Sequence, residues 1–179
     1  MSALSETDRA VLGGGCFWCL EASYQLIRGV TKVVSGYSGG IADHPSYEDL
    51  HYSNSGHAEV VQITFDSSTI SYSDILDIFW AIHDPTTLNR QGNDVGPEYR
   101  SIILYVDEKQ RRIAEASKAK IQSLWTDPVT TEIKSLKHFY EAEEEHHNFF
   151  KKHPEAGYCQ VIINPKLDKL RAKFADRLK

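Results

Sequence analysis

The sequence predicts a mixed α/β fold of the α+β kind, and three observations carry that prediction. Apolar runs of strand length alternate with helix-period segments in the order strand, helix, strand, strand, helix, strand up to about residue 107. Two helix starts are marked chemically, by Ser71 with Asp74 three residues on and by Asp107 ahead of an amphipathic stretch. No internal repeat or low-complexity tract interrupts the pattern. That element order is the split β-α-β arrangement of ferredoxin-like sheets, here with added helices and a long wrapping C-terminal segment.

Each element has its own local reason. Arg9 to Leu12 form the first strand, and Gly13-Gly14-Gly15 lead into a helix on which Cys16, Leu20, Tyr24 and Ile27 lie about one turn apart. A second strand near Lys32 to Tyr37 runs into Ser38-Gly39-Gly40 and a polar loop carrying His44, Pro45, Ser46, Tyr47 and Glu48. The third strand is Ala58 to Phe65. The capping-box pattern Ser71-x-x-Asp74 opens a helix with Ile75, Leu76, Phe79 and Ile82 at helical spacing. A loop with two glycines and a proline, Arg90 to Arg100, precedes the fourth strand, Ile102 to Val106. Asp107 then caps a helix expected to turn Ile113, Ala116, Ile121 and Leu124 inward. From Thr130 to Lys179 short segments are expected to wrap the core, with Glu141 to Lys151 as a solvated amphipathic helix and a loop around Pro154 to Cys159.

Composition bounds the function. With 179 residues, 41% hydrophobic and 25% charged, the chain fits one well-filled core, so residues 1–179 are expected to form a single domain. Twenty Lys and Arg against 25 Asp and Glu give a net charge of −5, and basic residues concentrate only at Lys166, Lys169, Arg171 and Lys173, which argues against nucleic acid as the main partner. No apolar run approaches about 18 residues, so no membrane span is expected. Three cysteines are too few for a secreted disulfide scaffold; they point to a reducing, cytoplasmic compartment where a disulfide is transient.

The most loaded stretch is Gly13-Gly14-Gly15-Cys16-Phe17-Trp18-Cys19-Leu20-Glu21. A cysteine in the first turn of a helix meets unpaired N–H groups and the positive end of the macrodipole, which favour thiolate over thiol. A lone free cysteine is more often a small buried hydrophobe. Two cysteines three apart, beside aromatics and a glycine run, argue instead for chemistry or metal binding. Glu59 is the second candidate. Strand alternation puts it on one face with Val61, Ile63 and Phe65. Burial there raises its pKa and keeps it able to donate a proton near neutrality, whereas a wet strand end leaves it ordinary. In the Arg90–Arg100 loop, Asp94 and Tyr99 are candidate orienting and hydrogen-bonding groups.

Together these residues resemble the peptide methionine sulfoxide reductase A family. Gly15-Cys16-Phe17-Trp18 is similar to its nucleophile motif, Gly36-Tyr37-Ser38-Gly39-Gly40 to its glycine loop, and Gly56-His57-Ala58-Glu59-Val60 to its acid-bearing strand. Arg90-Gln91-Gly92-Asn93-Asp94 with Tyr99-Arg100-Ser101 is similar to its substrate loop, and Gly157-Tyr158-Cys159 to its recycling-cysteine segment. The likeness runs in order over roughly residues 9 to 165. It implies thiol-dependent reduction of methionine S-sulfoxide, in oxidised proteins, peptides or the free amino acid, without a metal or other cofactor. Cys16 attacks sulfur and becomes a sulfenic acid, Glu59 protonates the departing oxygen, Tyr47 and Tyr99 hydrogen-bond it, and Asp94 helps arrange the site. Phe17 and Trp18 enclose the methyl group, and thioredoxin or a dithiol supplies electrons.

Two thiols are available to resolve the sulfenic acid. Cys159 matches the family's recycling cysteine, while Cys19 stands where many members carry glycine. A helical turn between Cys16 and Cys19 must distort before disulfide geometry is reached, which favours Cys159 as the main resolving thiol with Cys19 acting directly or as a later relay. Two rival readings are weaker. A thioredoxin-like oxidoreductase places its tryptophan before the first cysteine, and here Trp18 lies between the two. A zinc module using Cys16, Cys19 and Cys159 with His146, His147 or His153 needs ligands far apart in sequence.

Overall fold

The computed structural model describes residues 7–52 and 55–179. Its strands are β1 (Thr7–Gly13), β2 (Val30–Ser38), β3 (Ala58–Asp66), β4 (Arg90–Gln91), β5 (Asp94–Val95), β6 (Ile102–Tyr105), β7 (Glu132–Ser135) and β8 (Tyr140–Glu141). The helices are α1 (Phe17–Tyr24), α2 (Tyr47–Tyr52), α3 (Tyr72–Ile82), α4 (Glu108–Gln122), α5 (Phe149–Lys152) and α6 (Asn164–Lys173). One sheet runs β7-β6-β1-β3-β2-β8. Its central four strands, β6-β1-β3-β2, pair antiparallel throughout, which is the expected split order.

Alternation along the strands divides two apolar layers. Leu12, Val61, Ile63 and Phe65 join Leu20, Ile75 and Phe79 of the helices in the main core, all nearly or fully buried. Val11, Ala58, Val60, Ile102 and Leu104 face the other way and are covered by Leu136 and Phe139. Ser71 caps α3 in a reciprocal capping box with Asp74, and Asp107 caps α4 by accepting from the Gln110 N–H at 2.8 Å.

The C-terminal third wraps the core as expected, extending the sheet at both edges with β7 and β8 and returning to bridge Ile27 through Leu178. Several local expectations change. In α4 the inward stripe is Gln110, Ile113, Ala114, Ser117 and Ile121, so Ile113 and Ile121 pack as expected, while Ala116 and Leu124 are exposed. Ser117 accepts from the Trp80 indole at 2.7 Å, so a polar residue holds the face assigned to apolar ones. Glu141 to Lys151 is not one helix. Asn148 is left-handed (φ 55), which stops any continuous helix, and Glu143 is drawn to the site. The polar loop after Gly40 contains α2, started by a second reciprocal pair: Asp49 Oδ2 accepts from Ser46 N at 2.8 Å and Ser46 Oγ from Asp49 N at 3.2 Å.

One buried cation ties the loops around the sheet end. Arg100, 8% exposed, donates to Pro97 O and Gly56 O at 2.9 Å each and to Gly39 O at 3.4 Å, and faces the Glu132 carboxylate at 3.4 Å. Arg100→Met is expected to cost about 2–4 kcal/mol, because three carbonyls and a carboxylate lose a charged donor together. Urea unfolding checks this; an unchanged midpoint would show the loops to be held by other contacts.

Candidate active site

The first glycines of the chain bring the two loaded elements together. Gly13 ends β1 so close to β3 that a Cβ there would lie 2.8 Å from Glu59 O, and Gly15 turns the chain at φ +87. Cys16 follows as the N-cap of α1, in extended conformation (φ −62, ψ 129) and 8% exposed. The first N–H of the helix, Phe17 N, donates to Glu59 Oε1 at 3.3 Å. The expected acid is therefore docked on the helix terminus that carries the expected nucleophile.

Glu59 is 1% exposed, and burial, against the Phe17 hydrogen bond and helped by Asp94 and Glu98, pushes its carboxyl up to about 8. It is not a wet strand end. Cys16 departs from expectation in the opposite sense. Burial, then the charges of Glu59 and Cys19, hold its thiol well above the ordinary range, although the Trp18 N–H pulls it down. The helix terminus acts as predicted and is outweighed by desolvation. With Glu59 protonated, one of the groups opposing the thiolate carries no charge.

Around this pair the other candidates gather. Tyr99 is half-buried, and after burial the groups that raise its hydroxyl are Glu59, Tyr47, Asp94 and Cys16. Tyr47 packs its ring against His51 (4.2 Å) and stacks on His146 (4.5 Å). Asp94 accepts from the Tyr158 hydroxyl at 2.8 Å, and that hydroxyl lies 3.7 Å from Cys19 Sγ. Trp18 is half-buried, stacked on Phe149 at 3.7 Å with Tyr158 edge-on at 5.7 Å. Phe17 is fully buried between Tyr37 and His146, so it backs the aromatic wall and does not line its open side. Cys159 is fully buried too, and it does not lie on a loop: the turn at Pro154 to Gly157 is followed by a π-helical segment, Cys159–Ile163, that runs directly into α6.

Residues to which the resemblance assigns no role complete the site. His51 on α2 meets Glu98 through Nδ1 at 3.2 Å and stands 4.0 Å from Glu59 Oε2 through Nε2. Glu143 accepts from the Tyr37 hydroxyl at 2.7 Å and from Tyr47 N at 2.9 Å, holding α2 to the sheet. His146, 6% exposed, lies among Phe17, Trp18 and Tyr47, and neither ring nitrogen has a hydrogen-bond partner among the described residues. Sequence signals existed only for Glu143 and His146, in a charged run that reads as solvated surface. Among the described residues no three His, Cys, Asp or Glu side chains are gathered to hold a metal ion, and no helix is long and apolar enough to cross a membrane.

This pairing of a buried acid with a helix-capping cysteine in an aromatic enclosure coincides with a match over nearly the whole chain: the family model of peptide methionine sulfoxide reductase covers residues 8–178. The chain belongs to the peptide methionine sulfoxide reductase A family. It is an oxidoreductase. Peptide methionine sulfoxide reductase MsrA of Saccharolobus solfataricus is 56% identical over 170 residues, 95% of this chain and 96% of its own. MsrA of Leptospira borgpetersenii is 54% identical over 90% of this chain and 92% of its own. Among solved structures, Mxr1 from Saccharomyces cerevisiae in reduced form superposes with a TM-score of 0.82 at 29% identity, over 89% of this chain and 92% of that one. Mxr1 in complex with Trx2 gives 0.59 at 26% identity, over 82% and 88%. The peptide methionine sulfoxide reductase fold is thus the one built here.

Proposed function

We propose that this protein reduces methionine S-sulfoxide, peptide-bound or free, to methionine through a Cys16 sulfenic acid and an intramolecular disulfide, with electrons from thioredoxin or another dithiol and no prosthetic group. The observation that carries the reading is the buried Glu59 carboxyl, protonated to about 8, hydrogen-bonded at the N-terminus of the helix that bears Cys16.

A sulfoxide has a strongly polar S–O bond and a weakly electrophilic sulfur, so reduction needs a proton at oxygen as a soft nucleophile reaches sulfur. Glu59 gives its proton to the oxygen while Cys16 Sγ attacks, and the proton released from Cys16 returns to Glu59. Oxygen leaves sulfur and ends on Cys16 as Cys16–SOH, methionine departs, and no net proton is taken up. Tyr47 and Tyr99 donate to the oxygen as its charge grows. Asp94 orders the Tyr158 hydroxyl beside them. The methyl group meets Trp18, Tyr47 and His146, with Phe17 behind, where burial and sulfur–aromatic contact favour S–CH₃ over polar analogues.

For recycling, the expectation put Cys159 first, and the placement of the thiols supports Cys19 as the first to attack. Cys16 is the N-cap, outside the helical ψ range, so a bond to Cys19 does not require a helical turn to unwind. Cys19 already touches the Tyr158 hydroxyl, whereas Cys159 must leave the core. Cys19 then attacks Cys16–SOH and releases water, and Cys159 acts afterwards by thiol–disulfide exchange. The Trx2 complex of Mxr1 supports thioredoxin as the final reductant.

The test is turnover of each sulfoxide epimer with dithiothreitol or thioredoxin, with thiols counted after one equivalent of substrate and no reductant. Loss of two of the three thiols, for the S epimer only, is expected. Retention of all three would overturn the reading. Given one equivalent of substrate, Cys159→Ser should form a Cys16–Cys19 bond as fast as wild type loses thiols, while Cys19→Ser should be slower by about tenfold or more. Disulfide mapping by mass spectrometry that gives the opposite pattern returns Cys159 to first place.

A further inference from the structure

Beside the site, two hollows of 340 and 290 Å³ join into one groove between the C-terminal ends of α3 and α4 and one face of α6. Trp80, Ile82, Trp125 and Lys169 line both, so the groove is continuous. Its floor is aromatic and aliphatic, and Leu124, 75% exposed, stands at its rim. Its α6 wall is cationic: Lys166, Lys169 and Lys173 recur at i, i+3 and i+7 on one helix face, with Leu170 between them. None of the three makes a salt bridge among the described residues. The single carboxylate of α6, Asp168, is engaged by Arg171 at 3.2 Å on another face. The acid that lines the groove, Asp84, is occupied, accepting from Thr86 N at 2.9 Å and Thr86 Oγ1 at 2.6 Å.

The inner end of the groove backs onto the reaction centre, with Gln91 as the partition. Gln91 lines it and packs against Gly15, where a Cβ would lie 2.7 Å from Gln91 Cγ, one residue from Cys16. That wall is fixed, because Gln91 and Asp84 exchange hydrogen bonds: Asp84 N donates to Gln91 Oε1 at 3.0 Å and Gln91 Nε2 to Asp84 O at 2.9 Å. From Lys166 to Lys173 the helix advances roughly 10 Å, the length of about three residues of extended chain. An apolar floor edged by ammonium groups without salt bridges among the described residues, Lys173 lying 5.7 Å from the Phe174 ring centroid, suits a peptide that is both acidic and apolar.

We propose that this groove is the subsite for the polypeptide around the oxidised methionine, and that it takes an extended stretch in which Asp or Glu alternates with apolar side chains two to five positions from the sulfoxide. The proposal rests on the reductase reading above for what enters the site. In a protein of net charge −5, a basic groove beside the nucleophile-bearing turn selects acidic segments of unfolded chains and disfavours basic ones.

The test uses host peptides with one methionine S-sulfoxide and a Glu-Leu-Glu or a Lys-Leu-Lys triplet on its N-terminal or C-terminal side. Dithiothreitol is the reductant, and rates are normalised to each preparation's own turnover of free methionine S-sulfoxide. Wild type should prefer the acidic peptide on one side by about 5- to 20-fold in kcat/KM, carried by KM and reduced by added salt. Lys169→Glu with Lys173→Glu should erase or invert the preference, and Lys169→Arg with Lys173→Arg should keep it. Equal use of acidic and basic peptides by wild type, or a preference that survives charge reversal, overturns the proposal. So does a charge-reversal effect seen with thioredoxin but not with dithiothreitol, which would assign the groove to the reductant. Fluorescence anisotropy of the labelled peptides on the Cys16→Ser protein separates this from the reaction: an acidic preference in binding without turnover in wild type upholds the groove and removes the reductase reading.

Discussion

Replacing Cys16 by Ser is expected to lower multiple-turnover reduction of methionine sulfoxide by about 10⁴-fold or more, with the fold intact. Serine supplies neither an accessible anion nor a polarisable atom that can take the sulfoxide oxygen and later yield it to a second thiol. The fold survives for a local reason. Cys16 caps α1 without a side-chain hydrogen bond to the helix, and serine is among the best residues at an N-cap. Thermal unfolding should therefore move little, or upward, while activity disappears. Appreciable multiple-turnover activity in a folded Cys16→Ser protein would remove Cys16 as the nucleophile.

The parts of this fold that were legible in the sequence are those decided within a few residues. Alternation in Ala58–Phe65 and the capping pairs at Ser71 and Asp107 act locally, and the structure puts the strand and both helix starts within two residues of where they were expected. The pair Ser46 and Asp49 obeys the same rule and went unread, because no apolar run follows it; α2 is held by Glu143 from far along the chain. The α4 stripe differs from expectation at two positions for a related reason. Ala116 and Leu124 are apolar, but the face that packs is set by Trp80 reaching Ser117.

The site divides along the same line. Cys16 and Glu59 stand out locally, one by its helix start and the other by its strand face. Their electrostatics do not, since the helix terminus predicts a depressed thiol and only the tertiary enclosure shows that burial wins. His51, His146 and Tyr158 reach the site through contacts spanning tens of residues, among rings and carboxylates that have no shared spacing. Cys159 stands beside Pro154 and Gly157, whose residue types predict a loop, and its burial follows from the helix that comes after it.

Glu59→Gln carries the second large effect. The amide keeps an oxygen to accept from Phe17 N but has no acidic proton, so the reductive step should slow by roughly 10²–10⁴-fold while sulfoxide binding changes much less. Tyr47→Phe and Tyr99→Phe should each cost less, because either hydroxyl partly covers for the other. The pH dependence has a definite sign. Glu59 keeps its proton up to about 8, so the wild-type single-turnover rate should hold through neutrality and fall as pH rises past about 8; the Gln variant should lack that fall. Stability gives an independent reading. Between about 4.5 and about 8 the folded protein holds a proton that the unfolded chain has released, so this group makes stability decrease as pH rises through that window. Removing it should leave Glu59→Gln near wild-type stability at pH 5 and more stable by about 1–4 kcal/mol at pH 8. Urea titrations at the two pH values measure the difference. If the variant is slow but shows no pH-dependent gain in stability, Glu59 is charged in the resting protein and the proton for the sulfoxide oxygen comes from another group. A near-normal single-turnover rate would instead leave Glu59 a buried strand residue without part in the chemistry.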